Sequence, residues 1–338
     1  MAASPDLSRP QLLMLESLSA YRHEFVSGPD MRLNPVAYCH FIVPLAGQTY
    51  HVVSRIADAG LDYSRRTNMI AHHLVVSPEE MTQTDPGALI AAADSFVEKW
   101  DQAPMSLPFR AISAQPLVPG LCQHWADIAG DAGWGGILAA AGPNRPVVLI
   151  YSPGQDIFPL INESLALMPR QDRWKIGFST FYQKLPPGVV CQWKGVLARS
   201  PEAASVCALP NALILDFTKP FPPVRSTSET QEYYIDAART GVIKETNPEA
   251  KRPAVKKVPM ARREVAVPFS NAESEPLPLY TQDSARENAT SLDREASNVP
   301  VASGADAETM DRLAQLNSIY ADMAQPRKSN RQFVLRLI

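Results

Sequence analysis

The residues that build and close a protein core are concentrated in the first two thirds of this chain of 338 residues. All five tryptophans, all four cysteines and fourteen of the sixteen glycines lie before residue 208. From residue 219 to residue 300 the chain carries ten prolines and few large apolar side chains, so this stretch cannot bury enough surface to offset its conformational entropy. The sequence therefore predicts one globular domain over residues 1–218 and a disordered Pro-rich linker over residues 219–304.

Three shorter features are predicted in and after the linker. Residues 251–263 form a basic run with six positive charges and no acid, which is typical of a solvated segment or of a contact with an anionic surface. Apolar side chains spaced by threes and fours predict an amphipathic helix over residues 305–325. The basic and apolar tail, residues 326–338, resembles either the cytoplasmic edge of an interrupted membrane helix or a natural end.

The balance of charge limits the classes of partner. With 32 basic and 35 acidic residues, and a net charge of -3, the chain lacks the clustered positive charge that nucleic-acid binding needs. Four cysteines without CxxC spacing predict reduced thiols and hence a cytoplasmic protein, at the inner face of the membrane if a longer form is anchored there. The oligomeric state stays open.

The hydrophobic pattern predicts an α/β (α+β) fold. After an amphipathic helix over residues 11–22, three β-rich runs form an antiparallel meander, at residues 35–45, 48–56 and 68–76. Beyond residue 119 helical and extended patterns alternate, which predicts a mixed α/β sheet. The continuous apolar run at residues 212–217 predicts a strand that is buried on both faces.

Two short polar signals predict helix starts between these parts. Ser77, followed by proline and by Glu80, predicts an N-cap with a capping box. Asp85 precedes a second proline, and the apolar positions from there to Trp100 trace one face of a longer helix.

The candidate binding residues lie in and beside a charged loop, residues 54–68, between two strands of the meander. The loop includes Arg55, Asp62, Arg66 and Asn68. Its arginines could bind a phosphate or a carboxylate on a partner. The alternative is that Asp58 and Asp62 pair with them across a solvated turn.

His72 and His73 complete the candidate set. Neighbours in a strand point to opposite faces, so these two cannot ligate one ion, and we predict no metal site. One of them could act in binding or catalysis, and the alternative is that both are structural. The residues Ser152–Asp156 follow a strand, where α/β sheets hold ligands. No phosphate loop and no GxGxxG motif occurs, so we predict no cofactor.

The segments AYRHEF, SRIADAGLDYSRRTNMIAHHLVVSPEE and ESLALMPRQDRWKIGFSTFYQKLPPGVVCQW, within residues 20–80 and 163–193, resemble the second type of N-terminal domain of bacterial GTPase-associated proteins. The resemblance extends over residues 10–217. It implies a place in multi-gene systems built around a GTPase, with that GTPase and other proteins of the system as partners, and it supplies no established catalytic activity that could be carried over to this chain. The six candidate residues match the family's motif, which gives them no role.

The resemblance also raises an expectation about the start of the chain. In such proteins a strand with a glycine-rich start precedes the helix that corresponds to residues 11–22, and nothing before Ser4 can supply it. We therefore expect the chain to begin inside the domain and to leave a strand edge unpaired. Some relatives resemble membrane-anchored proteins.

Three hypotheses for function follow. The first is a non-enzymatic interaction or adaptor module of a GTPase-centred conflict or stress signalling system. The second is an enzyme that acts on an anionic substrate at the surface from Arg55 to His73, with one histidine as general acid or base. The third is the cytoplasmic head of a membrane-tethered sensor.

Overall fold

The computed structural model describes residues 2–244, apart from residues 27, 63, 93, 101–104, 109–111 and 113, and the backbone of residues 331–336. The described strands are β1 (Ala2–Ala3), β2 (Ala37–Leu45), β3 (Gln48–Leu61), β4 (Thr67–Val76), β5 (Val147–Tyr151), β6 (Phe178–Ser179), β7 (Trp193–Leu197), β8 (Leu213–Asp216) and β9 (Arg331–Arg336). They form one sheet in the order β1-β9-β4-β3-β2-β6-β7-β5-β8.

The described helices lie between these strands and after them. They are α1 (Arg9–Leu18), α2 (Pro78–Met81), α3 (Pro86–Ala91), α4 (Gln123–Ala129), α5 (Gly133–Ala141), α6 (Phe158–Leu167), α7 (Arg170–Arg173), α8 (Pro201–Cys207) and α9 (Glu229–Thr240), with a 3-10 helix at Pro29–Leu33. An antiparallel meander followed by a mixed α/β sheet is therefore the observed architecture, and the predicted fold class is confirmed.

The meander consists of β2, β3 and β4. A two-residue turn joins β2 to β3, with Ala46 and Gly47 at φ values of 50° and 79°, as the tight turns of antiparallel hairpins require. β3 continues to Leu61 and does not end at Ile56 as predicted. The register of its pairing with β4 shifts between Asp58 and Leu61, so that Leu61 still pairs with Thr67 of β4.

The second half of the sheet is parallel and has helices on both faces. β2 joins it by antiparallel pairing with β6, and β6, β7, β5 and β8 then run parallel. α8 covers one face through Ala203 and Val206. The prediction of burial on both faces is wrong for β8, since this strand lies at the edge of the sheet and Ile214 is 45% exposed.

Both predicted helix starts are confirmed. The Ser77 hydroxyl accepts the Glu80 N–H at 3.3 Å and the Glu80 carboxylate accepts the Ser77 N–H at 2.8 Å. Asp85 Oδ1 accepts the Ala88 N–H at 2.9 Å. The helix that Asp85 begins is shorter than predicted, since α3 ends at Ala91 and does not reach Trp100.

The predicted linker begins too early. Residues 219–244 are described, and α9 lies among them with Tyr234, Ile235 and Ala238 buried against the rest of the fold. Its start carries an N-cap, because the Ser228 hydroxyl accepts the Gln231 N–H at 3.2 Å. The rest of the predicted linker, its basic run 251–263 and the amphipathic helix predicted over residues 305–325 lie outside the described residues.

The tail, residues 326–338, contributes a strand to the sheet. β9 pairs antiparallel with β4 from Ile70↔Arg336 to Val75↔Arg331, and β1 pairs with β9 on its other side. The expectation of an unpaired strand edge is therefore wrong for β4, because β9 pairs with it. Residues 331–336 form this strand, although one expectation was that they begin a membrane helix. Within the described part of the chain, no helix combines the length and apolar character needed to span a membrane.

Candidate functional site

Between β3 and β4 the described loop residues are 62 and 64–66, which we call the hairpin tip, and Asp62 holds them by its own hydrogen bonds. Asp62 Oδ1 accepts hydrogen bonds from the Ser64 hydroxyl at 2.7 Å, the Ser64 N–H at 2.8 Å and the Arg66 N–H at 2.9 Å. These bonds, first among them the one from the Ser64 hydroxyl, lower the pKa of the Asp62 carboxyl. Asp62 therefore fixes the conformation of the tip.

The arginines of the tip face solvent. Arg65 and Arg66 are both exposed, and neither has a carboxylate within ion-pair distance among the described residues. Asp58 lies instead 3.3 Å from His23 Nε2. Asp62 therefore contacts Arg66 through its backbone N–H and through charge, whereas Asp58 lies against His23.

Arg55 has a different setting, inside β3 and not in the loop where the sequence suggested it. It lies directly opposite His72 in the sheet, and its side chain is 12% exposed. Nη2 lies 3.6 Å from the Glu98 carboxylate, while Nε and Nη1 are buried without a hydrogen-bond partner among the described residues. Arg55 is thus a weakly paired cation within the sheet.

The two histidines point to opposite faces of the sheet, as predicted. His72 Nδ1 accepts the Val97 N–H at 2.8 Å, whereas His73 contacts the Ser54 hydroxyl at Nδ1, at 2.7 Å, and the Ser19 hydroxyl at Nε2, at 2.8 Å. The Ser19 hydroxyl already donates to a backbone carbonyl, so it accepts from His73 Nε2–H and leaves Nδ1 to accept from Ser54. Both histidines are fully buried.

Asn68 is buried at the start of β4. Its Oδ1 accepts the Met69 N–H at 2.8 Å, and its carbonyl accepts a hydrogen bond from His23 at 3.0 Å. The structure thus divides the six candidates into two groups. Asp62, which is half-buried, and Arg66, which is exposed, lie at the hairpin tip, whereas the half-buried Arg55 and the buried Asn68, His72 and His73 lie in the sheet. The described residues contain no cluster of three or more His, Cys, Asp or Glu that could hold a metal ion.

The buried histidines predict a loss of stability in acid. Burial, followed by a neighbouring histidine, lowers the pKa of His40 and of His73 from 6.5 to about 3. Between these values the unfolded chain binds protons that the folded chain does not, so stability is complete above the unfolded pKa and falls as the pH drops below it. When the pH falls from about 8 to about 5.5, the free energy of unfolding should fall by roughly 1–2 kcal/mol for each histidine, and by about 3 kcal/mol for the pair.

Urea unfolding at the two pH values checks this expectation. His40→Gln and His73→Gln should each reduce the difference in unfolding free energy between the two pH values by about half of the pair's contribution. A difference that stays the same in both variants would show that these histidines do not cause it.

A second candidate site is a cavity of about 220 Å³, which we call the crevice. It is lined by residues between 32 and 38, by residues between 151 and 157, and by Thr180. Tyr151 ends β5 and Thr180 follows β6, so the crevice lies at the carboxyl ends of two parallel strands, where open α/β sheets bind ligands. The loop Ser152–Asp156, noted in the sequence for this reason, forms one side of it.

The two segments that line the crevice contact each other closely, and one of their polar side chains is fully hydrogen-bonded. The left-handed conformation of Gly154, at φ 81°, brings the loop so close to Leu33 that a Cβ atom would lie 3.1 Å from its Cδ2. Asn34 has no polar group to spare, because Glu24, Phe25 and Asp58 take its four hydrogen bonds. Any hydrogen bond to a ligand in the crevice must therefore come from a lining residue other than Asn34.

Residues 1–111 match the family model described as GTPase-associated protein 1, N-terminal domain type 2. The resemblance drawn from the sequence is thus confirmed. Residues 122–219 match the GTPase-associated protein 1 middle domain. No curated protein and no solved structure gives a significant match to the chain.

These two matches assign the candidate sites to matched ranges of the chain. The hairpin tip and all six candidate residues belong to the N-terminal domain. The crevice is lined on one side by the N-terminal domain and on the other by the middle domain. The span predicted as one globular domain, residues 1–218, therefore contains two family domains.

Proposed function

We propose that this chain is a non-enzymatic adaptor of a bacterial GTPase-centred conflict or stress signalling system, and that its hairpin tip contacts the GTPase. The two family domains support a GTPase-related module. The observation that carries the proposal is the tip itself, which presents Arg65 and Arg66 to solvent, with no carboxylate within ion-pair distance of either guanidinium among the described residues. The histidines that could serve as acid or base are fully buried, so the proposal gives them a structural role.

The chemistry of the tip favours an acidic surface on the partner. A guanidinium binds a carboxylate through two parallel hydrogen bonds, which add geometric specificity to the charge. Because Asp62 already holds the loop, binding pays less conformational entropy than a flexible loop would. The proposal places the adaptor in the cytoplasm, and the free thiols of all four cysteines support a reducing compartment.

The test is a binding measurement with Arg66→Ala. The full chain is used to capture proteins from its source cells, a captured protein that hydrolyses GTP is purified, and its dissociation constant is measured in the GDP and GTP states. We expect Arg66→Ala to weaken binding by about 1.5–3 kcal/mol, or roughly 10- to 150-fold, because it removes charge-assisted hydrogen bonds. The free energy of unfolding should change by less than about 0.5 kcal/mol, since the Arg66 side chain is exposed and Asp62 is bonded to its backbone N–H, which alanine keeps.

Arg225→Ala is the matched control. Arg225 is also exposed, and it lies outside the N-terminal domain without an ion pair among the described residues. It should leave the dissociation constant unchanged. Equal binding by the wild type and Arg66→Ala would reject the hairpin tip as the contact, and failure to capture any GTPase would reject the adaptor.

A further inference from the structure

Arg55 carries a positive charge that the sheet around it does not neutralise. It lies in β3, between Tyr38 of β2 on one side and His72 of β4 on the other. Its further neighbours on the same face of these three strands are His40, Val53, Ala57, Ile70 and Leu74. None of these side chains is acidic, so the three strands supply no anion for the guanidinium.

The guanidinium also lacks hydrogen-bond acceptors. The Arg55 side chain is 12% exposed, and its Nε and Nη1 atoms are buried without a hydrogen-bond partner among the described residues. Within ion-pair distance the described residues offer one carboxylate, that of Glu98, and it lies 3.6 Å from Nη2, which is too far for a hydrogen bond. Because a buried charge is costly unless it is paired and hydrogen-bonded, an acceptor is missing at this position.

Glu98 marks the side from which a ligand reaches the guanidinium. Its side chain is 72% exposed, so it lies at the surface, and an ion pair with so exposed a carboxylate is weak. An anion that displaces Glu98 meets Nη2 first. The planar guanidinium then presents two parallel donors, Nη2 together with Nη1 or Nε, and the second of these has no partner among the described residues.

We propose that Arg55 binds the carboxylate of a small organic acid, which takes the place of Glu98. A planar carboxylate matches the two parallel donors of a guanidinium. A free acid is not attached to the backbone, so it can approach closer than the 3.6 Å of Glu98 and form both hydrogen bonds. A phosphate is a poorer fit, since its additional negative charge is repelled by the displaced Glu98.

This site does not rest on the contact proposed for the hairpin tip, because the two share no residue. Arg55 is also not among the residues that line the crevice. Loss of acid binding and loss of GTPase binding are therefore separate outcomes, measured with different variants and different ligands.

Saturation-transfer NMR of the full chain, with acetate as the probe, tests the proposal. Arg55→Met should abolish transfer to the acetate methyl group, because it removes both donors. Glu98→Gln should tighten acetate binding roughly two- to fivefold, since the competing ion pair of an exposed carboxylate is worth about 0.2–1 kcal/mol. Phosphate and the peptide acetyl-Gly-Glu-Gly-amide, added at constant ionic strength, should each displace acetate only at a higher concentration than unlabelled acetate requires.

Glu229→Gln is the matched control for Glu98→Gln. Glu229 is exposed in α9, outside the N-terminal domain and without an ion pair among the described residues, so its loss should leave acetate binding unchanged. Unliganded Arg55→Met should unfold at the same temperature as the wild type or a higher one, because methionine is similar in length and removes a buried charge that has no good partner. A lower unfolding temperature would show a structural role for Arg55 instead.

Four other results would overturn the proposal. They are no transfer to acetate in the wild type, equal transfer in Arg55→Met, no tighter binding in Glu98→Gln, and displacement of acetate by phosphate or the peptide at a lower concentration than by acetate itself. Stronger displacement by the peptide would assign the site to an acidic side chain of a partner protein, and stronger displacement by phosphate would assign it to a phosphate group.

Discussion

Arg173→Met is expected to lower the free energy of unfolding by about 3–5 kcal/mol, because it removes one member of a buried ion pair. Arg173 Nη1 lies 2.7 Å from Asp85 Oδ2, and the side chains are 5% and 0% exposed. The guanidinium also donates to the carbonyls of Ala166, Met168 and Leu117, at 2.9, 3.0 and 2.8 Å. Methionine has a similar length but no donor, so it leaves a buried carboxylate and three carbonyls short of partners.

The pair also connects the two family domains. Asp85 belongs to the N-terminal domain and begins α3, while Arg173 belongs to the middle domain. Asp85 Oδ2 also accepts the Leu117 N–H at 2.8 Å, in the segment between the two matched ranges. Loss of the guanidinium should therefore loosen this junction as well as the core.

Urea unfolding measures the effect, and two further variants identify its cause. Lys175→Met removes a lysine that is 60% exposed and paired with Asp172, and it should cost no more than about 1 kcal/mol. Asp85→Asn added to Arg173→Met removes the stranded charge, so the double variant should be more stable than Arg173→Met alone. If Arg173→Met costs no more than Lys175→Met, the pair does not hold the junction.

Local signals in the sequence predicted the local structure well. The N-caps at Ser77 and Asp85, the turn at Ala46-Gly47 and the three strands of the meander all follow from neighbouring residues. The errors arose where contacts between residues distant in the sequence determine which side chains are buried. A continuous apolar run cannot show whether β8 lies at the centre or the edge of the sheet, and the polar sequence of α9 does not show that another helix covers it.

For the candidate sites, too, the sequence located single segments, but it did not show which distant residues lie together. The motif located the hairpin tip, but only the register of β3 against β4 showed that Arg55 and His72 lie within the sheet. The crevice combines segments near residues 32 and 151, which are far apart in the sequence and carry no shared pattern. The loop Ser152–Asp156 was suggested by its place after a strand.

The docking of α9 depends on a close approach of two helices. A Cβ atom added at Gly136, in α5, would lie 2.3 Å from the Tyr234 carbonyl oxygen and 2.5 Å from the Ile235 nitrogen of α9. These are backbone atoms, which cannot rotate away as a side chain can. An ion pair between Arg239 and Asp131, at 2.6 Å, further fixes the end of α9.

Gly136→Val is therefore expected to force α9 from its site. Overpacking of a core usually costs about 1–3 kcal/mol, but here the helices cannot adjust without separating. Release of α9 exposes Tyr234 and Ile235, which are 1% and 6% exposed, and each contributes about 1.5–3 kcal/mol by burial. The expected loss in the free energy of unfolding is thus about 3–6 kcal/mol, measured in urea, together with new protease cleavage within residues 229–240.

Gly120→Val is the control, since no atom lies within 4 Å of its Cβ position. Equal losses in the two variants, or a Gly136→Val protein that resists cleavage in α9, would contradict the view that residues 219–244 belong to the folded domain.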